Sequence, residues 1–158
     1  MAQQQPTPAF RQKPVAEQMM KDEKYGGAAQ IMALPAPKLV GVLKDPNASV
    51  YAKAKACQRL AVVGDKSAVP ALGALLGEPQ LSHYARIALE PIPDRSADEA
   101  LRASLGKVQG NLLVGVISSI GHRRDPNSIA ALEKLRHDSN GEVARAADAA
   151  LARIRPGL

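Results

Sequence analysis

The chain has 158 residues, about one domain's worth, and 46% of them are hydrophobic, enough for a sizeable core. Only 3% are aromatic, with no Trp, which argues against β-sandwiches and barrels; the lone Cys57 excludes an intramolecular disulfide framework and any multi-cysteine metal knuckle. The net charge of +6 permits anionic partners without identifying one, and no stretch approaches the ~20 apolar residues of a membrane helix.

Residues 1–14 are dominated by Gln and Pro and show no periodicity, which reads as a disordered or extended arm with Phe10 as its one docking feature. Residues 15–24 are predicted to form a short helix, with Val15, Met19 and Met20 on one side, that caps the first repeat and ends at Gly26-Gly27. The expected organisation is thus an arm over 1–14, a capping helix and linker over 15–34, and a repeat domain over 35–158. No apolar run follows Met1, so a secretory signal is not visible and a cytoplasmic location is expected. Ala2-Gln3 would also suit the start of a mature exported chain whose signal Met1 replaces, which leaves a periplasmic location open.

From residue 35 onward a repeat organises the chain. Shifting the sequence by 31 aligns Val50, Leu81, Leu112 and Val143, then Ala54, Ala85, Val116 and Ala147. The small residues Cys57, Ala88, Ser119 and Ala150 form the next column, followed by Gln58, Leu89, Ile120 and Leu151. Offsets of 0, 4, 7 and 8 mark one face of a helix. Four such helices are predicted near 48–63, 80–90, 111–121 and 141–154. Each is preceded by a shorter apolar pattern: Leu39/Val42/Leu43, Val69/Leu72/Leu76, Ala97/Leu101/Leu105 and Ile129/Leu132/Leu135. Breakers separate them, among them Asp45-Pro46-Asn47, Gly64-Asp65, Pro91-Ile92-Pro93-Asp94 and Ser139-Asn140-Gly141. A helical pair of this size cannot bury its apolar face alone, so the expected fold is an all-α solenoid of about four hairpins with a 31-residue period. The C-terminus supplies no polar capping helix, which leaves the edge of the last hairpin open or covered by a partner.

The segments Asp45 through Val50, Gly64 through Leu72 and Asp138 through Ile154 resemble short bacterial HEAT repeats, the class also described as phycobilisome-lyase-like. The resemblance spans roughly residues 35–155. Leu81 through Arg86, Leu89 through Asp94 and Leu112 through Ile117 are similar to HEAT segments of large bacterial multidomain proteins, many of them exported. The resemblance implies an interaction role. It also raises a chromophore-lyase-like accessory function.

No catalytic constellation emerges. Cys57 falls in a small-residue column with no His or Asp at close helical spacing, which reads as a buried structural cysteine. His83, His122 and His137 lie in different repeats and form no zinc motif. Gly106 through Gly110 lacks the Lys-Ser/Thr of a phosphate loop. Ser118-Ser119 read as packing and back-bonding residues within a helix, and Asp98-Glu99 as charges that suit a helix N-terminus. The expectation is a non-enzyme with no metal and no cofactor.

The second helix of each pair is expected to line the concave side, with offsets 2, 5 and 9 outermost. These are Ala52, Lys55 and Arg59; His83, Arg86 and Glu90; Val114, Ile117 and Gly121; and Arg145, Asp148 and Ala152. The pattern is a mainly basic ridge interrupted by an apolar third helix, which is either deeply buried or an anchor patch at Val114 and Ile117. Arg123 occupies a slot that holds Ala61, Ile92 and Ile154 elsewhere. With His122 and Arg124 it forms a basic turn, read either as solvated or as a carboxylate docking point. The expected function is a protein–protein interaction scaffold for an acidic or mixed-polarity partner, with contacts from Lys55, Arg59, His83, Arg86, Val114, Ile117, Arg123, Arg124 and Arg145. A nucleic-acid-binding module is the second reading, weakened by interspersed acids and scarce aromatics.

Overall fold

The computed structural model describes residues 20–155. The arm read into 1–14, and residues 15–19 of the helix expected over 15–24, lie outside them. Within the described residues the fold is all-α, with no strand.

The first described stretch corrects an expectation. Residues 20–27 are a closed turn and not the end of a helix: Asp22 and Gly26 exchange backbone hydrogen bonds of 2.8 and 2.9 Å. Gly26 has φ +83°, which favours glycine. The helix that does form here is later and shorter, α1 over Ala28–Met32, and it packs on the second helix of the first pair. Its start is marked by the Gln30 side chain, whose Oε1 accepts from Gly27 N–H at 2.8 Å.

Four helical pairs follow: α2 (Ala36–Lys44) and α3 (Val50–Val63), α4 (Val69–Gly73) and α5 (Ser82–Leu89), α6 (Arg95–Ser104) and α7 (Gly110–Arg123), α8 (Ile129–Leu135) and α9 (Gly141–Ile154). The predicted second helices match α3, α5, α7 and α9 within two residues at each end. Local chemistry sets their starts, as N-terminal N–H groups require acceptors. Ser49 Oγ accepts from Ala52 N–H at 3.1 Å at the head of α3. Asn140 Oδ1 accepts from Glu142 and Val143 at the head of α9. Between pairs, Asp65, Asp94 and Asp125 each accept from the backbone N–H two residues on. Within the first and last pairs, Asp45 and Asp138 do the same for Asn47 and Asn140, so the sequence match between these two turns is a match of hydrogen bonds.

The packing follows chain order. α3 packs on α5, α5 on α7 and α7 on α9, while α2 packs on α4 and α4 on α6. Leu39, Leu72, Leu101 and Leu132 are the fully buried anchors of the first helices. Leu89, Ile120 and Leu151 are buried on the second helices, as are Ala85, Val116 and Ala147. Each leucine buried this way contributes ~1.5–3 kcal/mol. The offset-zero column is less regular: Leu81 and Val143 are buried, Leu112 is half-buried and Val50 is exposed. The last pair carries ion pairs: Arg136, just past α8, bonds Glu133 on α8 and Asp148 on α9, and Arg155, just past α9, bonds Glu133. These pairs tie the end of α8 to α9 and to Arg155 just beyond it.

Candidate interaction surface

The exposed face of the second helices was expected at offsets 2, 5 and 9, and the structure keeps only part of it. On α3, Lys55 and Arg59 are half-buried, and the Lys55 ammonium lies 5.6 Å from the Tyr51 ring centroid. On α5, His83 is exposed; on α9, Arg145 is exposed. Val114 on α7 is half-buried. Ile117, read either as deeply buried or as an anchor, is 0% exposed, which removes it from the expected partner contacts and follows from position. α7 has α5 on one side and α9 on the other, and this covers its flanking columns, whereas Asp148, in the same column on terminal α9, stays exposed. Ala52 is likewise buried, on the helix that α1 packs against. Gly121 is buried because α9 comes so near that a Cβ there would lie 2.9 Å from Ala150 Cα.

Arg86 also departs from an outward reading. Its guanidinium turns onto α7, lying flat over Gly115, where a Cβ would come within 2.7 Å of it. Nη1 donates to Gly115 O at 3.1 Å and to Ser119 Oγ at 3.3 Å, and Nη2 lies 3.4 Å from His83 Nδ1. Burial pulls this guanidinium below its ordinary range, and Glu90 opposes that. Ser119 in turn donates to Glu90 Oε1 at 2.7 Å, with His122 Nε2 3.9 Å from the other carboxylate oxygen. Ser119 therefore bonds across to α5 and does not back-bond within its own helix.

The basic turn resolves into two unlike arginines. Arg123 does not project as a docking point; its side chain is 10% exposed and reaches inward. Nη1 donates to the carbonyls of Leu89, Glu90 and Ile92 at 3.2, 2.9 and 2.6 Å, and Nη2 to Asp94 O at 3.1 Å. Nε and Nη2 grip the Asp98 carboxylate at 2.6 and 3.0 Å. The C-terminal carbonyls of α5, which no helical N–H can satisfy, are answered by a side chain of the next pair. Asp98 is thus a structural partner of Arg123 and not only a helix-start charge. Arg124, by contrast, is exposed and ends α7 in the left-handed region at φ +54°, with its N–H on Gly121 O.

Arg102 pairs with Asp125, which also accepts from Ser128 Oγ at 2.6 Å. Burial raises the Asp125 carboxyl, but Ser128, Arg102 and the Asn127 N–H outweigh it and hold it below the ordinary range. At the other end of the molecule, Asp45 is drawn down to about 2, chiefly by the Tyr25 hydroxyl at 2.6 Å, with the Asn47 N–H and Lys24 assisting. Asp22 is held lower still, foremost by the Ser49 N–H.

The cations of the second helices fall into two groups. Arg123 and, in part, Arg86 are committed to neighbouring helices. Lys55, Arg59, Arg145 and Arg153 have no carboxylate within ion-pair distance among the described residues. Two carboxylates that share their face are engaged elsewhere: Glu90 accepts from Ser119, and Asp148 accepts from Arg136 Nε at 2.6 Å. Glu142 sits at the edge, in the first turn of α9.

The sequence pattern missed Ile87, which stands 42% exposed in the middle of α5, and the exposed Ser118 and Ala149 at the same offset on α7 and α9. A recess of about 140 Å³ between α7 and α9 is lined by Val114, Ser118, Ala146, Ala149, Ala150 and Arg153. Cys57 is fully buried, and burial pushes its thiol up to about 12, far from the thiolate range needed for reactivity. Among the described residues no group of three His, Cys, Asp or Glu side chains could hold a metal ion, and no helix is long and apolar enough to cross a membrane. Comparison with protein-family models and with curated protein sequences finds no match.

Proposed function

We propose that the chain is a non-enzymatic interaction scaffold, an α-solenoid of four HEAT-like hairpins that binds an acidic or mixed-polarity protein surface on its second helices. Support for the solenoid comes from the consecutive packing of α3, α5, α7 and α9 and from the equivalent burial of Leu39, Leu72, Leu101 and Leu132. The observation that carries the binding role is the division among cations. Arg102, Arg123, Arg136 and Arg155 are all paired with carboxylates, while Lys55, Arg59 and Arg145 on one face have none among the described residues. The carboxylates nearest them on that face, Glu90 and Asp148, are bonded within the chain, which leaves these cations to a partner, and electrostatic complementarity of this kind steers encounter and selects partners.

The test is Lys55→Glu/Arg59→Glu/Arg145→Glu, with folding checked by circular dichroism, followed by affinity capture from the native source. Loss of the captured proteins is expected. Retention of every one of them defeats the reading. Binding that survives in protein-free nucleic-acid fractions and falls steeply with salt favours a nucleic-acid module instead.

A further inference from the structure

Most of the surface residues of the second helices fall in three bands along the stack. The middle row, at offset 6, holds Ile87, Ser118 and Ala149, all exposed and none charged. Its counterpart on α3, Ala56, is fully buried on the helix that α1 covers, so the row runs over α5, α7 and α9 only. The row toward the helix N-termini holds His83 and Arg145, with Val114 between them. Toward the C-termini, offsets 9 and 10 hold the half-buried Arg59 on α3 and the exposed His122 and Arg153; of the carboxylates on this face, Glu90 is bonded to Ser119 and the exposed Asp148, next to Ala149, to Arg136. An uncharged middle row is therefore bordered by Arg145 and the His83 imidazole on one side and by Arg153 and the His122 imidazole on the other, and the α7–α9 recess deepens it.

We infer that this face takes an acidic amphipathic protein segment, its aliphatic side chains along the Ile87–Ser118–Ala149 row and its carboxylates on the flanking Arg and His residues. The inference rests on the scaffold reading above and names the partner's chemistry. Charge complementarity selects the carboxylates; the uncharged middle row selects the aliphatic side chains. The recess of about 140 Å³ accommodates one branched aliphatic side chain against Val114, Ala146 and Ala149, with Arg153 at its rim. A polyanion such as a single-stranded nucleic acid would leave this row unused, because no aromatic side chain stands in it for base stacking. Packed helices lie ~8–10 Å apart, so the aliphatic side chains must recur at about that interval. A helix does this once every two turns, ~10.5 Å.

The probe is a labelled peptide with three Leu at seven-residue intervals in a Glu, Ala and Gln background. Its control has Ser in place of each Leu at the same charge. Titration by fluorescence anisotropy at low salt is expected to give at least about tenfold tighter binding of the Leu peptide, the scale of one buried aliphatic side chain. Ile87→Asn/Ala149→Asn changes exposed positions only and should abolish that preference while leaving the Ser control unchanged. Arg145→Glu/Arg153→Glu should weaken both peptides. Equal binding of the two peptides by the wild-type chain overturns the inference and leaves the scaffold reading standing. Failure of both peptides to bind, with the fold verified, overturns the inference and counts against the scaffold reading as well. A single-stranded oligonucleotide of about the same length that binds more tightly than the Leu peptide overturns it in favour of nucleic acid.

Discussion

Where α7 meets α9, Gly121 lies against Ala150 and the two helices run close along their length. Where α5 meets α7, the contact is shorter, and the side chains of Arg86, Glu90 and Arg123 cross it. The first joint gains dispersion from small residues and, at Gly121, leaves no space for an added atom. The second holds its helices through charge-assisted hydrogen bonds, which are strong only while both partners are present. One joint is thus sensitive to volume and the other to loss of a partner.

The largest expected effect lies under the polar joint. Leu89 is fully buried there, and Leu89→Asp would place a charge with no partner in the stack, costing about 4 kcal/mol or forcing the carboxyl to stay protonated. An unchanged urea midpoint would contradict the packing described. Next comes Arg123→Met, which strands the Glu90 and Ile92 carbonyls and the Asp98 carboxylate, while Leu89 O and Asp94 O keep the N–H groups of Ile92 and Ala97, and should cost about 3 kcal/mol. Asp98→Asn added to it should cost less than it does alone, a coupling that a double-mutant cycle measures.

The two glycines sharpen the contrast. Gly121→Ala meets the backbone of α9 and should cost about 1–3 kcal/mol. Gly115→Ala meets only the tip of Arg86, a side chain that can move, and should cost about 1 kcal/mol or less. In an Arg86→Ala background the Gly115→Ala cost should vanish. Equal costs for the two glycines, by thermal or urea unfolding, would erase the distinction between the joints.

Acid should act on the charged regions. Asp45, Asp22 and Asp125 are held below the ordinary carboxylate value of 3.8, so each binds its proton less readily folded than unfolded. Their contribution is complete above the unfolded value and is lost as pH falls from about 4 toward about 2. Urea midpoints at successive pH values should decline over that window; a flat profile would remove these carboxylates from the account. The smallest effect is a gain. Arg124→Gly relieves a left-handed residue at the end of α7 and should stabilise by about 0.5 kcal/mol, net of the added freedom of the unfolded chain.

The helices and their anchors were legible because periodicity reports one helix's own buried stripe. Leu89, Leu151 and Cys57 are buried where the register puts them. The surface was less legible because exposure depends on what flanks a helix. Ile117 and Asp148 share a column, but α7 is packed on both flanks and α9, among the described residues, on one. The five residues of α1 are too few to show a period, yet its packing partner α3 is where Ala52 and Ala56 are buried. Arg123 did announce itself, as the one charged member of a column of Ala61, Ile92 and Ile154. Its partners, however, are mostly backbone carbonyls, which every residue carries and no pattern distinguishes.

That single substitution in a column gives the array an order. The carbonyls at the end of α5 are matched to one side chain, and that side chain occurs in only one of the four pairs. A chain assembled from duplicates of the first or last pair would place alanine or isoleucine where the guanidinium belongs. The pairs look alike by sequence period, but they are not interchangeable parts. Moving the third pair to another place in the series would separate Arg123 from the α5 carbonyls and Arg86 from its berth on Gly115, and would leave both ends of the broken joint with unmatched polar groups.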